Sequence, residues 1–223
     1  MLQGVIFDMD GVLFDTETIS WRIEKEVMQE MGYTLTPEMQ VQICGASHAQ
    51  GRKIVLDAFG PEFDYDAYTL TMRERMAEEL ERDGMPKKPG VDALLAYLKK
   101  QNYRIGLASS TRYQTVLHHL KAGGIFEYFD GIIGGDMVPA SKPAPDIFEA
   151  AAKAIGLPPT RCAAIEDSLN GVHSAAAAGC ITIMVPDLIP PTDELRAVAA
   201  VVLNSLTEVP AFLEETNRTL ASK

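Results

Sequence analysis

From Val91 onward the sequence alternates between two textures, and that alternation limits the possible folds more than any other feature. Helix-like stretches with apolar residues three and four apart give way to short apolar runs that open into polar turns. Val91, Leu94, Leu95 and Leu98 lead into Ile105–Ala108, and Val116, Leu117 and Leu120 lead into Ile132–Ile133. Ile147, Phe148, Ala151, Ala152 and Ile155 lead into 162–165, which is followed by 181–185 and the short pair Val201–Val202. Glycines close the helical stretches at Gly123-Gly124, Gly156 and Gly179. An earlier run, Gly4–Phe7, has the same β-branched character. Strands are apolar on both sides when both faces of a parallel sheet are covered. Such alternation predicts an α/β fold with a Rossmann-like parallel sheet core.

Between the first run and the rest the pattern is helical only. Ile19, Ile23, Val27 and Met31 recur every four residues toward a stop near Gly32, and Tyr65, Tyr68, Met72, Met76 and Leu80 form a second stripe. No convincing strand occurs from Thr34 to Asp83, and the texture changes at Pro86-Lys87-Lys88-Pro89-Gly90. We expect a helical cap at 16–86 inserted into a core made of 1–15 and 87–223, joined through segments near 14–17 and 84–89. A chain of 223 residues with 47% hydrophobic composition can bury such a core and a small insert.

Charge and cysteine content narrow the setting. Twenty Lys and Arg against 31 Asp and Glu leave a net charge of −11. This disfavours binding to nucleic acid or an anionic membrane. It also means that a phosphate substrate would need a cation and a few well-placed basic residues. Cys44, Cys162 and Cys180 share no metal-ligand spacing and read as reduced thiols used in packing. The apolar start is short and is interrupted by Asp8, so neither a secretory signal nor a membrane span is expected. The expectation is a cytoplasmic protein, a monomer or weak dimer, acting on a small phosphorylated metabolite.

Chemistry-bearing residues gather where the strands should end, which is where ligands bind in open α/β sheets. Asp8-Met9-Asp10-Gly11-Val12 follows the first run. Residues two apart in extended chain face the same side, so one carboxylate could attack phosphorus while the other handles a proton. A calcium-binding loop fails on spacing, because Val12 and Ile19 stand where oxygen ligands are required. Ser109-Ser110-Thr111 offers hydroxyls and backbone N–H groups before a helix, suited to a phosphate or to an ordinary N-cap. Lys142, in Ser141-Lys142-Pro143-Ala144-Pro145, could reach a phosphate or a carboxylate, or simply lie at the surface. Glu166-Asp167-Ser168 puts two acids at the end of an apolar run, where either a cation or helix capping would account for them.

In order, Asp8-Met-Asp10-Gly-Val, Ser109, Lys142 and Glu166-Asp167 match the motifs of one family over essentially the whole chain. The sequence resembles the haloacid dehalogenase superfamily of phosphohydrolases, in the capped group that includes β-phosphoglucomutase and many sugar-phosphate phosphatases. The resemblance implies a Mg²⁺-dependent phosphatase that forms an aspartyl-phosphate on Asp8. It implies that Asp10 protonates the leaving alcohol and then activates water. Ser109 and Lys142, with Ser110 beside them, would hold the phosphoryl group, and Asp8, Asp10 through its carbonyl, Glu166 and Asp167 would organise Mg²⁺. The alternative is a hexose-phosphate mutase, but mutases of this group carry a histidine where this chain has Ser20. The intact acids and lysine argue against a non-enzymatic phosphate-binding regulator. Within Cys44-Gly45-Ala46-Ser47-His48, His48 is a candidate substrate contact, as is Arg52. His118, His119 and His173 are expected to be structural, and Trp21 and the ten methionines to serve packing.

Overall fold

The structure is a computed structural model that describes residues 1–43, 46 and 48–222. The chain divides into two compact units, one of Met1–Phe14 with the residues from Lys87 onward, the other of Asp15–Pro86. Strand β1 (Gly4–Phe7) comes first. The second unit holds helices α1 (Thr16–Glu30), α2 (Pro37–Ile43), α3 (His48–Phe59) and α4 (Tyr65–Asp83). The first unit resumes with α5 (Val91–Lys100), β2 (Arg104–Ala108), α6 (Tyr113–Ala122) and β3 (Gly131–Ile133). It continues with α7 (Asp146–Ala154), β4 (Cys162–Glu166), α8 (Leu169–Ala177) and β5 (Ile181–Met184). It closes with α9 (Asp193–Val198), β6 (Val201–Val202) and α10 (Val209–Ala221).

Among the described residues the six strands form one sheet in the order β3-β2-β1-β4-β5-β6, and every neighbouring pair is parallel. The alternating pattern therefore folds as the α/β core it predicts. Val5, Ile6 and Phe7 of β1 are fully buried, as are Cys162 to Glu166 of β4. Ile147, Phe148 and Ala151 of α7 pack with Ile6 and Ala164 in one apolar cluster. Val172 of α8 meets Met184 and Leu195 in another. Each large apolar side chain buried in this way stabilises the fold by about 1.5–3 kcal/mol, which allows charged groups to be held at the sheet edge.

Register sets where those charges go. Phe7 lies opposite both Leu107 and Ile165, so β1, β2 and β4 end at one level. The Asp8 N–H donates to the Ile165 carbonyl at 3.0 Å, and the Ser109 N–H donates to the Ile133 carbonyl at 3.1 Å. Asp8, Ser109 and Glu166 thus share the carboxyl edge of the sheet.

The helical unit has a core of its own. Ile23, Val27 and Met28 of α1 are buried with Tyr65 and Tyr68 of α4. Tyr33 meets Phe59 and Phe63 edge-on at 5.0 and 4.9 Å. Glu24 is buried inside this cluster, where the Tyr68 hydroxyl donates to its Oε1 at 2.5 Å and the Gln40 side chain donates to its Oε2 at 3.4 Å.

One expectation about packing needs adjustment and another holds. Met1 and Met137 are exposed, so the methionines are not uniformly packing residues. Cys162 and Cys180 are buried free thiols, pushed by burial up to about 11 and about 12. Cys44 lies outside the described residues. No described helix is long and apolar enough to cross a membrane.

Candidate active site

Strand β1 runs straight into the first acid of the site. Asp8 is 7% exposed, and the next side chain, Met9, is fully buried. The Met9 carbonyl accepts from the Leu13 and Phe14 N–H groups at 2.9 and 3.1 Å, so the chain turns sharply after Asp10. Gly11 makes this possible with φ of 78°, a left-handed conformation that side chains disfavour. A Cβ at Gly11 would also lie 2.5 Å from Asp167 Oδ2, so the glycine lets the two strand ends approach.

Lys142 is central to the charge arrangement. It is 5% exposed, not a surface lysine, and its Nζ donates to Asp8 Oδ1 and to Glu166 Oε1, each at 2.5 Å. The ammonium also stands 5.1 Å from the Phe148 ring centroid. The loop that carries Lys142 is tied down by the Ser174 hydroxyl of α8, which donates to the Ala144 carbonyl at 2.5 Å. Burial opposes the positive charge, but the Asp8 and Glu166 carboxylates outweigh it and hold the Lys142 pKa above its ordinary value.

Glu166 is fully buried and already heavily bonded. Its Oε2 accepts from the Asp167 N–H at 2.9 Å and from the Ser168 N–H and hydroxyl at 3.0 Å. Its Oε1 takes Lys142 and keeps one acceptor position. Gly171, one turn into α8, makes room for it, since a Cβ there would lie 1.7 Å from Glu166 Oε1. The capping role of Ser168 coexists with the charged site: its hydroxyl also accepts from the Gly171 N–H at 3.1 Å.

Ser109 is 1% exposed, and its Oγ accepts from the Thr111 N–H at 3.1 Å. Ser110 stands exposed at the rim. The Thr111 hydroxyl donates to Asp10 Oδ2 at 3.0 Å, which ties the second strand end to the first. Asp8, Asp10, Ser109, Lys142, Glu166 and Asp167 are therefore gathered at one sheet edge. A cavity of about 810 Å³ in the same unit, lined by Tyr97, Tyr103, Arg104 and Asn217 among others, contains none of them.

This donor set fits a divalent cation. One oxygen each from Asp8, Glu166 and Asp167 lie within 4.8 Å of one another. Burial pushes the Asp8 carboxyl well above the usual carboxylate range; Lys142 pulls it down, while the Glu166 and Asp10 charges push it further up. Four carboxylates around one ammonium leave negative charge that a hard, oxygen-seeking cation would offset.

The cap candidates are placed differently. Arg52, on α3, donates to Asp66 Oδ1 at 2.7 Å and lies 5.3 Å from the Tyr65 ring centroid, all within the helical unit. His48 begins α3, but its side chain is outside the described residues. His173 is paired with Glu194 at 3.0 Å, a partner not foreseen for it, and burial lowers the pKa of His119.

The sequence model for haloacid dehalogenase-like hydrolases matches residues 5–185, a span that includes every residue of this charged cluster. The chain belongs to that family. As a member of the haloacid dehalogenase-like hydrolases it is 35% identical over 193 residues to the putative phosphatase YhcW of Bacillus subtilis, covering 86% of this chain and 87% of that protein. It is 30% identical over 181 residues to the phosphorylated carbohydrates phosphatase of Thermotoga maritima, covering 80% and 82%. The crystal structure of a putative β-phosphoglucomutase from Thermotoga maritima superposes with a TM-score of 0.77 at 26% identity, covering 96% of this chain and 99% of that one.

Sequence reasoning missed Gly171, Ser174 and the bond from Thr111 to Asp10. Gly171 left a faint signal, because a glycine one turn inside a helix is unfavourable unless something needs the space. Ser174 left none, since its partner Ala144 is 30 residues away.

Proposed function

We propose that this hydrolase is a Mg²⁺-dependent phosphatase of small phosphomonoesters, with a sugar phosphate the favoured substrate, and that Asp8 is its nucleophile. The observation that carries the reading is the buried Lys142 bridging Asp8 and Glu166 at 2.5 Å each. Such a fixed ammonium is suited to drawing a phosphate group against a carboxylate. The printed names of the relatives, a putative phosphatase and a phosphatase of phosphorylated carbohydrates, support the substrate class.

In this mechanism an Asp8 oxygen attacks phosphorus and the ester P–O bond breaks. The departing alcohol oxygen takes a proton from Asp10. Asp10, now a carboxylate, removes a proton from water; the water oxygen attacks phosphorus and the P–O bond to Asp8 breaks. Asp8 is restored, inorganic phosphate leaves and Asp10 is protonated again. Lys142, the Ser109 hydroxyl and the groups around Ser110 orient the phosphoryl oxygens, which is most of what phosphoryl transfer demands of a protein. Asp8, Asp167 and the Asp10 carbonyl would hold Mg²⁺, with Glu166 behind them anchoring Lys142 and able to lend an oxygen. When bound, the metal supplies the positive charge that an anionic ester needs beside these carboxylates.

The helical unit is proposed to act as the cap. Its closure would exclude bulk water, with Arg52 and His48 as its candidate substrate contacts. Ser20, in α1, is the reason to prefer water over a sugar hydroxyl as the acceptor.

A panel of sugar and nucleotide phosphates tests the proposal, read as free phosphate with Mg²⁺ and with excess chelator. Release that requires Mg²⁺ is expected. Conversion of β-glucose 1-phosphate into glucose 6-phosphate without free phosphate would replace the phosphatase by the mutase. Full activity in chelator would remove the metal.

A further inference from the structure

The proposed acid/base has a weakness that the structure addresses. Asp10 is half-buried and lies at a turn, and its carboxylate has two rotatable bonds. A proton donor must be aimed at the ester oxygen to be useful, and a misplacement of about 1 Å can cost on the order of a hundredfold in rate. The Thr111 hydroxyl grips this carboxylate from another strand end, at 3.0 Å from Oδ2.

Thr111 is itself fixed by its main chain on both sides. Its N–H donates to Ser109 Oγ at 3.1 Å, and its carbonyl accepts from the Gly135 N–H at 2.9 Å. The contact with the loop after β3 leaves no slack. A Cβ at Gly135 would lie 2.2 Å from the Ser110 carbonyl oxygen, and one at Gly134 would lie 2.4 Å from the Tyr113 nitrogen. Asp136 adds a further tie, its Oδ1 accepting from the Tyr113 N–H at 2.8 Å. The Thr111 hydroxyl therefore projects from a frame that does not depend on the turn bearing Asp10.

We propose that Thr111 is a positioning residue that sets the Asp10 carboxyl against the leaving-group oxygen. It does so from the same residue whose N–H orients the Ser109 hydroxyl, so the phosphoryl-binding group and the acid/base are held at a fixed separation. The inference rests on the phosphatase reading, in which Asp10 gives a proton to the departing alcohol and later takes one from water. Thr111 itself exchanges no proton with substrate.

The test compares Thr111→Val, which keeps the shape and removes the hydroxyl, with Thr111→Ser, which keeps the hydroxyl. Each is assayed on a sugar phosphate, whose alkoxide leaves poorly without a proton, and on p-nitrophenyl phosphate, whose phenolate leaves unaided. Loss of the hydrogen bond that aims the Asp10 carboxyl should lower kcat on the sugar phosphate by about tenfold or more in Thr111→Val. KM should stay within about twofold, the loss of kcat/KM, which reports the step that expels the alcohol, should be smaller on the aryl ester, and Thr111→Ser should recover most of the rate. Equal losses of kcat/KM on both esters, or a Thr111→Ser as impaired as Thr111→Val at unchanged thermal stability, would overturn the proposal. So would a Thr111→Val indistinguishable from wild type. Those outcomes leave the phosphatase reading intact, because that reading fails separately, if Asp8→Asn or Asp10→Asn turns over like wild type.

Discussion

Both units bury a carboxylate, and they neutralise it in opposite ways. In the sheet unit Asp8 and Glu166 share an ammonium, Lys142, and the cluster still carries surplus negative charge. In the helical unit the donors that meet Glu24 among the described residues are neutral, Tyr68 and Gln40. Burial raises the Glu24 pKa while those hydrogen bonds pull it down. The Tyr68 hydroxyl is pushed far above its ordinary value, first by burial and then by the Glu24 charge, so it remains a donor. Neutral donors suffice when a buried acid serves packing. A counter-ion that leaves charge over is the mark of a site that awaits a ligand.

The sharpest way to break this contrast is to remove the counter-ion. Lys142→Met strands two buried carboxylates, and we expect a loss of about 3–5 kcal/mol in metal-free denaturant unfolding together with loss of turnover. Mg²⁺ should restore part of the stability and none of the rate. Survival of both would mean that the lysine is incidental.

Gly171→Ala probes the same site through its wall. The added Cβ must displace Glu166, which costs about 1–3 kcal/mol as overpacking, offset by up to about 1 kcal/mol of helix propensity. Because Glu166 anchors Lys142, kcat should fall more than the stability change alone explains. A destabilised protein with wild-type kcat would separate Glu166 from the chemistry.

In the helical unit the expected effects are smaller and confined to stability. Tyr68→Phe leaves Glu24 Oε1 without its buried donor and should cost about 1–2 kcal/mol, with kcat within about twofold of wild type. Glu24→Gln should change a slope instead. The folded Glu24 carboxyl has a raised pKa, so its contribution is complete below the ordinary value of 4.5 and is lost as pH rises through the folded value. Relative to wild type, Glu24→Gln should therefore grow more stable between pH 4.5 and neutrality. Parallel urea midpoints across that range would show Glu24 to be uncharged throughout or charged without penalty.

The contrast also marks what a sequence makes legible. Strands were readable because a two-faced parallel sheet demands uninterrupted apolar runs, and Asp8 stood out as an acid ending such a run. The partners were harder to read. Lys142 lies 134 residues from Asp8 and 24 from Glu166, and no local pattern encodes its burial. Glu166-Asp167 read equally as cap or ligand because the structure uses the segment for both: Ser168 caps α8 while Glu166 holds the lysine. Glu24 was invisible for the opposite reason. One acid within an amphipathic helix looks solvated until Tyr68, 44 residues on, closes over it.

Asp8→Asn offers the most direct measurement of the central claim. The change removes the nucleophile with almost no change in shape, and a phosphomonoester assay with Mg²⁺ reads the outcome. A folded protein whose turnover is down by at least about a thousandfold is the expected result. Phosphate release at the wild-type rate from that variant would contradict the assignment of Asp8 and the mechanism built on it.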